Sequence, residues 1–333
     1  MTIEPPISLS NHYLEQIFDL LAARQVDPER ICSELGIVVE RNAKQTNMPW
    51  VSFYRLMSLA SGMFREHSFG LLLGERLLIN MHGPLGIAAL STGSLRELLA
   101  LLEQYLSLRT DLLTLSVVER GDDVLLSFHE CRPLRDIRAP VSEAVVLAVR
   151  NLMDFATLAS TGIQEACFPF SGDAVFAKEI FRCPVQYDAH WCGLRLDASH
   201  LDTRLKMAHA SSYREALRVC QDELEKLGNA LSLATQVRRL LLKSRQGFPA
   251  LEVVARHLNL TPRTLHRHLL REATSYQAEL DAVRHALAKR YLAQHMPVQE
   301  IAYVLGYTEQ ANFRRAFKRW EGVPPSVYRE SLS

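Results

Sequence analysis

The amino-acid sequence predicts an α+β N-terminal domain followed by an all-α C-terminal domain in which two helix-turn-helix units are joined by a linker helix. Three observations carry this expectation. A short apolar helix, a turn residue and a basic second helix lie near the C-terminus, and the same pattern occurs once more upstream. Strand-like runs are confined to the first 230 residues, where they alternate with helical stretches. Charge is divided in the same way: residues 231–333 carry 16 Lys and Arg against 8 Asp and Glu, a net +8, whereas the preceding residues carry 22 against 29, a net −7. A basic half joined to an acidic half suits a nucleic-acid-binding domain attached to one that does not bind nucleic acid. The 333 residues suffice for two domains. The junction is expected at Gly228-Asn229, giving domains 1–228 and 229–333.

Within the first domain, 12–23 is an amphipathic helix with Leu14, Ile17, Phe18 and Leu21 on one face. Asp27-Pro28 starts a second helix that Gly36 ends, and the polar segment to Met48 reads as a loop. A third helix covers 49–64 with Phe53, Leu56, Met57 and Ala60 inward, and 69–78 is apolar and punctuated by glycine. His82-Gly83-Pro84-Leu85-Gly86 breaks the pattern before helices at 85–90 and 94–108, the latter opened by Ser94 with Glu97 three residues on, a capping box. The runs 112–118 and 124–129 flank Gly121-Asp122-Asp123 as a β-hairpin. Helix returns over 140–158, a strand is expected at 165–170, a turn at 171–173, a helix at 175–181, two last strands at 185–187 and 193–196, and a helix at 212–227.

In the second domain, Val298, Ile301, Ala302 and Leu305 share one face of a short helix. Gly306 follows where a left-handed residue is wanted, and Thr308 stands as the cap of the next helix. Phe313 and Phe317, four apart, form that helix's buried stripe. Upstream, Val254, Ala255 and Leu258 correspond to Ile301, Ala302 and Leu305. Asn259 stands for Gly306, Thr261 for Thr308, and Leu265 and Leu269 for Phe313 and Phe317, with one extra residue in the second copy. Asn is the next most tolerant residue for the left-handed conformation, and Pro262 suits the first helical position. Between the copies, 276–292 reads as one helix with the stripe Leu280, Val283, Leu287 and Tyr291. The two units thus fall at about 250–270 and 298–320, and Tyr276, Trp320 and Tyr328 are expected in the core.

Two such copies separated by one helix and followed by Gly322-Val323-Pro324-Pro325-Ser326-Val327-Tyr328-Arg329 resemble the AraC/XylS family of bacterial transcription regulators over roughly the last hundred residues. Asn259 in place of the commoner Gly and Tyr307 in place of the usual Phe are the departures. The resemblance implies a sequence-specific regulator that sets two recognition helices in successive major grooves of double-stranded DNA. The first domain is also similar to the arabinose-binding-type regulatory domain of one subgroup. That similarity is carried by 69–75, 82–86, the helix at 94–108 and the stretch 181–197. It implies that the domain senses a small-molecule effector, forms a homodimer, or both; the other reading makes it a dimerisation or protein-interaction module without a ligand. RNA polymerase is a further partner that the resemblance implies.

The candidate DNA-contacting residues follow from the exposed faces of the two second helices. Arg267 and Arg315 stand two residues after the inner anchor, where Arg can donate two bonds to guanine or pair with a phosphate. Arg263, Thr264 and His266 share the face with Arg267; Gln310, Ala311, Asn312 and Arg314 share it with Arg315. Lys318, Arg319 and Arg329 are read as phosphate neutralisers. No effector-binding residue is identifiable from the sequence. No catalytic fingerprint accompanies the thiol–imidazole neighbourhood His129-Glu130-Cys131, so no enzymatic activity is expected. None of the six cysteines forms a Cys-x-x-Cys pair, and His190 with Cys192 near Cys183 is a weak metal signal, so neither metal nor other cofactor is expected. The first ten residues lack a signal-peptide pattern and no run of about 18 apolar residues occurs, so the expectation is a cytoplasmic protein with free thiols and no membrane span.

Overall fold

The computed structural model describes residues 6–39, 45–64, 68–230, 233–243, 247–272, 274–293 and 296–330. The chain divides into two units, Met1–Leu224 and Glu225–Ser333.

The first unit opens with β1 (Ile7–Ser10), which runs into α1 (Asn11–Ala22). Tyr13, Leu14, Ile17, Leu20 and Leu21 form the buried face of α1, while Phe18 is only partly covered. In α2 (Pro28–Leu35) Asp27 accepts the Glu29 N–H and Gly36 closes the helix at φ 63°. The 45–48 segment, expected as loop, is instead a strand, β2 (Gln45–Met48), antiparallel to β1 with Ile7 opposite Met48. Its inward positions are Thr46 and Met48, and the Thr46 hydroxyl donates to Asn11 Oδ1 at 2.7 Å. A four-residue strand with one apolar side chain, paired to a partner outside any hairpin, carries no local strand signal.

Next come α3 (Trp50–Met63), α4 (Phe69–Arg76), α5 (Gly83–Leu90) and α6 (Leu95–Tyr105). Phe53, Leu56, Met57 and Ala60 point inward from α3. At the start of α6, Ser94 accepts the Glu97 N–H at 3.3 Å, and the Glu97 carboxylate returns to the N–H of Gly93 at 2.8 Å. The hairpin is β3 (Leu113–Arg120) with β4 (Asp123–Glu130), turning through Gly121 at φ 59°. Then follow α7 (Arg138–Thr157), β5 (Ile163–Cys167), α8 (Ala174–Phe181), β6 (Val185–Gln186) and β7 (Gly193–Asp197). The sheet order is β3-β4-β7-β5-β6, antiparallel except for the β5–β6 pair.

The helix α7 is the buried post of this unit. It meets α4 so closely that a Cβ on Gly70 would lie 2.5 Å from the Pro140 carbonyl oxygen, and one on Gly74 would lie 2.9 Å from Leu147 Cβ. Both glycines exist for this approach: neither has a positive φ, but only hydrogen fits. The Glu143 carboxylate, buried on α7, accepts hydrogen bonds from Tyr187 at 2.7 Å and from Ser68. Burial holds its pKa above the usual carboxylate value, against the pull of those two donors.

From α9 (Ala210–Ala230) the chain enters the second unit. Gly228 and Asn229, expected as a junction, are helical, and the division falls at Leu224/Glu225 within α9. An additional helix, α10 (Leu233–Lys243), lies outside the sequence reading; its first N–H groups, Leu233 and Ala234, are capped by the Glu272 carboxylate at 2.8 and 2.9 Å. The remaining elements are α11 (Leu251–His257), α12 (Pro262–Arg271), α13 (Tyr276–Ala293), α14 (Val298–Val304), α15 (Gln310–Glu321) and α16 (Pro325–Glu330). Two apolar cores result. One joins Val237 and Leu241 of α10 to Val254, Leu265, Leu269, Leu280 and Val283; the other joins Ala288 and Leu292 of α13 to Ile301, Leu305, Phe313 and Phe317. The long α13 therefore supplies its first half to one core and its second half to the other. Tyr276, Trp320 and Tyr328 pack against these clusters as partly buried residues and are not themselves fully enclosed. Among the described residues no helix is long and apolar enough to cross a membrane.

Candidate nucleic-acid interface and an apolar cavity

The two helix pairs α11–α12 and α14–α15 close in the same way. Asn259 has φ 54° and Gly306 φ 74°, both left-handed. After each, the chain bonds back to the first helix through the same pair of positions: Leu260 N–H to the Ala255 carbonyl, and Tyr307 N–H to the Ala302 carbonyl, each at 2.9 Å. The copies then diverge by one residue. The Thr261 hydroxyl caps α12 by accepting the Thr264 N–H at 3.2 Å. In the second copy the inserted residue moves the cap to Glu309, so Thr308 does not serve as the expected cap and no side chain takes that bond. Past the insertion the register is restored, and Leu265, Leu269, Phe313 and Phe317 are all fully buried.

Opposite these anchors lie the exposed faces. On α12, Arg263, His266 and Arg267 are exposed and Thr264 is half-buried, its hydroxyl 2.9 Å from that of Thr261. On α15, Ala311, Arg314, Arg315 and Lys318 are exposed, and Gln310 and Asn312 are half-buried. Arg315 donates to the Asn312 side-chain oxygen at 2.6 Å, which aligns the guanidinium along the helix. Arg319 is paired with Asp281 of α13 at 2.9 Å, and Arg329 donates to the Met296 carbonyl. Both are thus engaged within the unit. Arg271 is exposed and stands in α12 as Arg319 does in α15; extending the repeat by one turn would have found it.

Arg284 of α13 was not singled out from the sequence, yet it holds the second turn. Its Nε donates to the Leu305 carbonyl at 2.9 Å, and its guanidinium lies 4.7 Å over the Tyr307 ring and 5.3 Å over Phe248. A Cβ on Gly306 would sit 3.4 Å from it. No local pattern marks this role, since a lone Arg on a helix reads as solvated. His129, weighed as part of a thiol neighbourhood, lies 3.0 Å from the Ser116 hydroxyl across the hairpin. Among the described residues no group of three His, Cys, Asp or Glu is placed to hold a metal ion.

The first unit contains a cavity of about 90 Å³. Leu, Ile, Val, Phe and Met side chains from α1, α3, α4, α5, α6 and α7 make up most of its wall, and Tyr13, His82, Arg109 and Thr110 are the polar residues on it. The Tyr13 hydroxyl and His82 Nδ1 are 2.6 Å apart. Burial, helped by the nearby Arg109 charge, lowers the His82 pKa to about 4, so the ring is neutral at pH 7. The Tyr13 hydroxyl, raised above its ordinary value by burial, stays protonated and donates to Nδ1, which leaves the proton of the ring on Nε2. His82 Nε2 and Arg109 Nε are both buried and make no hydrogen bond of good geometry to protein among the described residues, although the Leu77 carbonyl lies near enough to the His82 ring to favour its proton. Arg109 Nη2 is held by Glu223 of α9 at 2.7 Å. These groups are not legible in the sequence because they come from separate segments: Tyr13 beside His12, His82 in a Gly- and Pro-rich break, and Arg109-Thr110 before Asp111, with no local spacing that brings them together.

Comparison with known proteins bears on both units. Residues 26–205 match the model of the arabinose-binding domain of AraC transcription regulators, N-terminal, and residues 254–331 match that of a helix-turn-helix domain. The chain is 30% identical to the ornithine utilization regulator of Pseudomonas aeruginosa, over 96% of this chain and 95% of that protein. It is 28% identical to the transcriptional regulator VirS of Mycobacterium tuberculosis, over 85% and 84%. The crystal structure of the transcriptional regulator CdpR from Pseudomonas aeruginosa covers 95% of this chain and 97% of its own at 23% identity, with a TM-score of 0.48.

Two outcomes follow from this geometry. Phe317→Ala empties a fully buried site in the second core, and we expect it to cost about 3–5 kcal/mol of stability; chemical denaturation that matched the wild type would mean the inner face of α15 is misassigned. The second concerns pH. The unfolded chain takes up a proton on His82 near pH 6.5, whereas the folded protein does so only near 4. Stability therefore falls as pH drops from 6.5 toward 4 and is flat in this respect above 6.5, by an amount on the order of 3 kcal/mol. Buried Glu143, Asp111 and Asp154, raised by burial, contribute in the opposite sense. The comparison with His82→Gln isolates the imidazole: its unfolding free energy should lose less between pH 6.5 and 4 than that of the wild type, and parallel profiles would refute a neutral buried His82.

Proposed function

The chain belongs to the family of AraC-type helix-turn-helix transcription regulators, and from that premise we propose that residues 229–333 bind double-stranded DNA through two helix-turn-helix units, with α12 and α15 as recognition helices in successive major grooves. The observation that carries this reading is the shared register of the two helices. In each, an exposed Arg stands two residues beyond a fully buried anchor, Arg267 after Leu265 and Arg315 after Phe313. The +8 charge of residues 231–333 supports phosphate attraction along the same unit. Arg263, Thr264, His266, Arg267, Gln310, Ala311, Asn312, Arg314 and Arg315 are the base-contact candidates. Lys318 is a phosphate contact; Arg319 and Arg329 reach phosphate only by sharing or leaving their present partners.

Residues 1–228 act as the regulatory domain and bind a small effector in the cytoplasm. The arabinose-binding-type match and the cavity with its polar wall groups support this, in preference to a ligand-free interaction module. The protein works as a homodimer that meets RNA polymerase at the promoter. Sedimentation of the full chain, with and without its duplex, tests the dimer; a monomer under both conditions would exclude it.

The DNA reading is tested by selecting a binding site from a random duplex pool with the full-length protein. Arg315→Ala should then cost about 1–3 kcal/mol on the selected site and relax preference at one base pair. Lys318→Ala should weaken selected and scrambled duplexes alike and lower the salt slope by about one. Equal loss on both duplexes for Arg315→Ala would make it a phosphate contact. Failure to select any site would overturn sequence-specific binding.

A further inference from the structure

We infer that the cavity of the first unit is built for a small amphipathic carboxylate: an aliphatic acid whose head meets Arg109, His82 and Thr110 and whose tail lies among the apolar side chains. The inference rests on effector control as proposed above and names the chemical class of the effector.

The polar wall is one-sided. His82 carries its proton on Nε2 and Arg109 one on Nε, and neither makes a hydrogen bond of good geometry to protein among the described residues, the Leu77 carbonyl being a weak neighbour of the imidazole. The Thr110 oxygen accepts from the Leu112 N–H at 3.1 Å, which leaves its hydroxyl proton to donate. The Tyr13 hydroxyl is already committed to His82 Nδ1. Among the described residues, those on the cavity wall thus carry three donors, and no Asp, Glu or Lys is among them. A head group that accepts from several directions is required, and a carboxylate does so with the added attraction of the guanidinium. An ammonium would find no acidic partner on the wall. This excludes amines and disfavours amino acids, whose second charge would be buried unpaired.

Size sets the tail. The cavity of about 90 Å³ compares with roughly 10–15 Å³ for one water on a probe-filled measure, so it suits about six to nine non-hydrogen atoms. Hexanoate falls within that range. Regulation has a physical route as well. Glu223, which shares Arg109 with the ligand, stands on α9, and that helix continues past Leu224 to Ala230 in the second unit. A carboxylate that draws on the same guanidinium alters the pairing of α9.

The test uses the full chain and three probes of matched length: hexanoate, hexylamine and norleucine. Hexanoate at millimolar concentration should raise the melting temperature with a mass-action dependence, and the two amines should not. Arg109→Gln should weaken hexanoate at least tenfold by calorimetry. Because that change also removes the Glu223 pair, Ala148→Leu serves as the second variant. Ala148 is buried on the cavity wall and is not a member of the Arg109–Glu223 pair, and the larger side chain takes up cavity space. It should melt no lower than the wild type without acid and lose the hexanoate shift. No shift with hexanoate, an equal shift with hexylamine, or a shift retained in folded Ala148→Leu would each overturn the site. DNA affinity measured with and without hexanoate separates the two readings. A melting shift with unaltered DNA affinity supports the site and overturns effector control; a change in DNA affinity without a melting shift overturns the site and leaves control to another ligand position.

Discussion

Each helix pair of the second unit turns on one residue that accepts a left-handed backbone. Asn259 at φ 54° and Gly306 at φ 74° end α11 and α14 and send the chain back across them. For most side chains this conformation costs roughly 1–2 kcal/mol; glycine escapes the cost and asparagine largely does. Once the chain is reversed, the rest follows from helical geometry. The second helix must set two apolar residues four apart on the first, and Leu265 with Leu269, and Phe313 with Phe317, do so with no exposure. A residue two positions beyond the first anchor is about 200° around the helix and therefore points outward. The outward register of Arg267 and Arg315 is a consequence of the turn, not a separate feature of the surface.

This dependence explains what could be read from the residues and what could not. The turn residues, the anchors and the exposed arginines obey a local rule of spacing, so the repeat in the sequence is enough to mark them. Thr308 failed as a cap for an equally local reason: the extra residue after Gly306 shifted the cap position to Glu309. The features that escaped are held by partners distant in sequence. Arg284 reaches the Leu305 carbonyl, Glu272 caps α10, and Thr46 of β2 bonds Asn11. In each case the residue alone looks like surface, and only its partner across the fold gives it a structural task.

The first unit poses the same problem in another form. Its helices were legible because burial at three- and four-residue intervals marks a helix whatever it packs against. The same apolar residues can face a filled core or a cavity, however, and periodicity does not distinguish the two. Leu73, Leu102 and Val149 line the cavity, while Leu56 and Leu98 are buried without lining it. His82 sat in a Gly- and Pro-rich break, where it read as a turn residue. Arg109 followed the apolar helix α6, where a cation reads as an end signal. Their meeting is a property of how α1, α5 and α6 pack.

The pairing of Tyr13 with His82 gives that meeting its direction. Had the imidazole been charged, both ring nitrogens would be donors and the Tyr13 oxygen would have to accept. Burial and the Arg109 charge keep the ring neutral, so the hydroxyl donates and the tautomer is fixed. A neutral ring with its proton on Nε2 costs less to bury than a cation, yet an unpaired buried donor still costs about 1–3 kcal/mol. Arg109 Nε adds a second such group. A wholly apolar molecule of the right size would fill the cavity and strand both donors. A molecule with an acceptor head recovers the cost at the moment of binding, so on the proposal made above the same two nitrogens would select what enters the cavity.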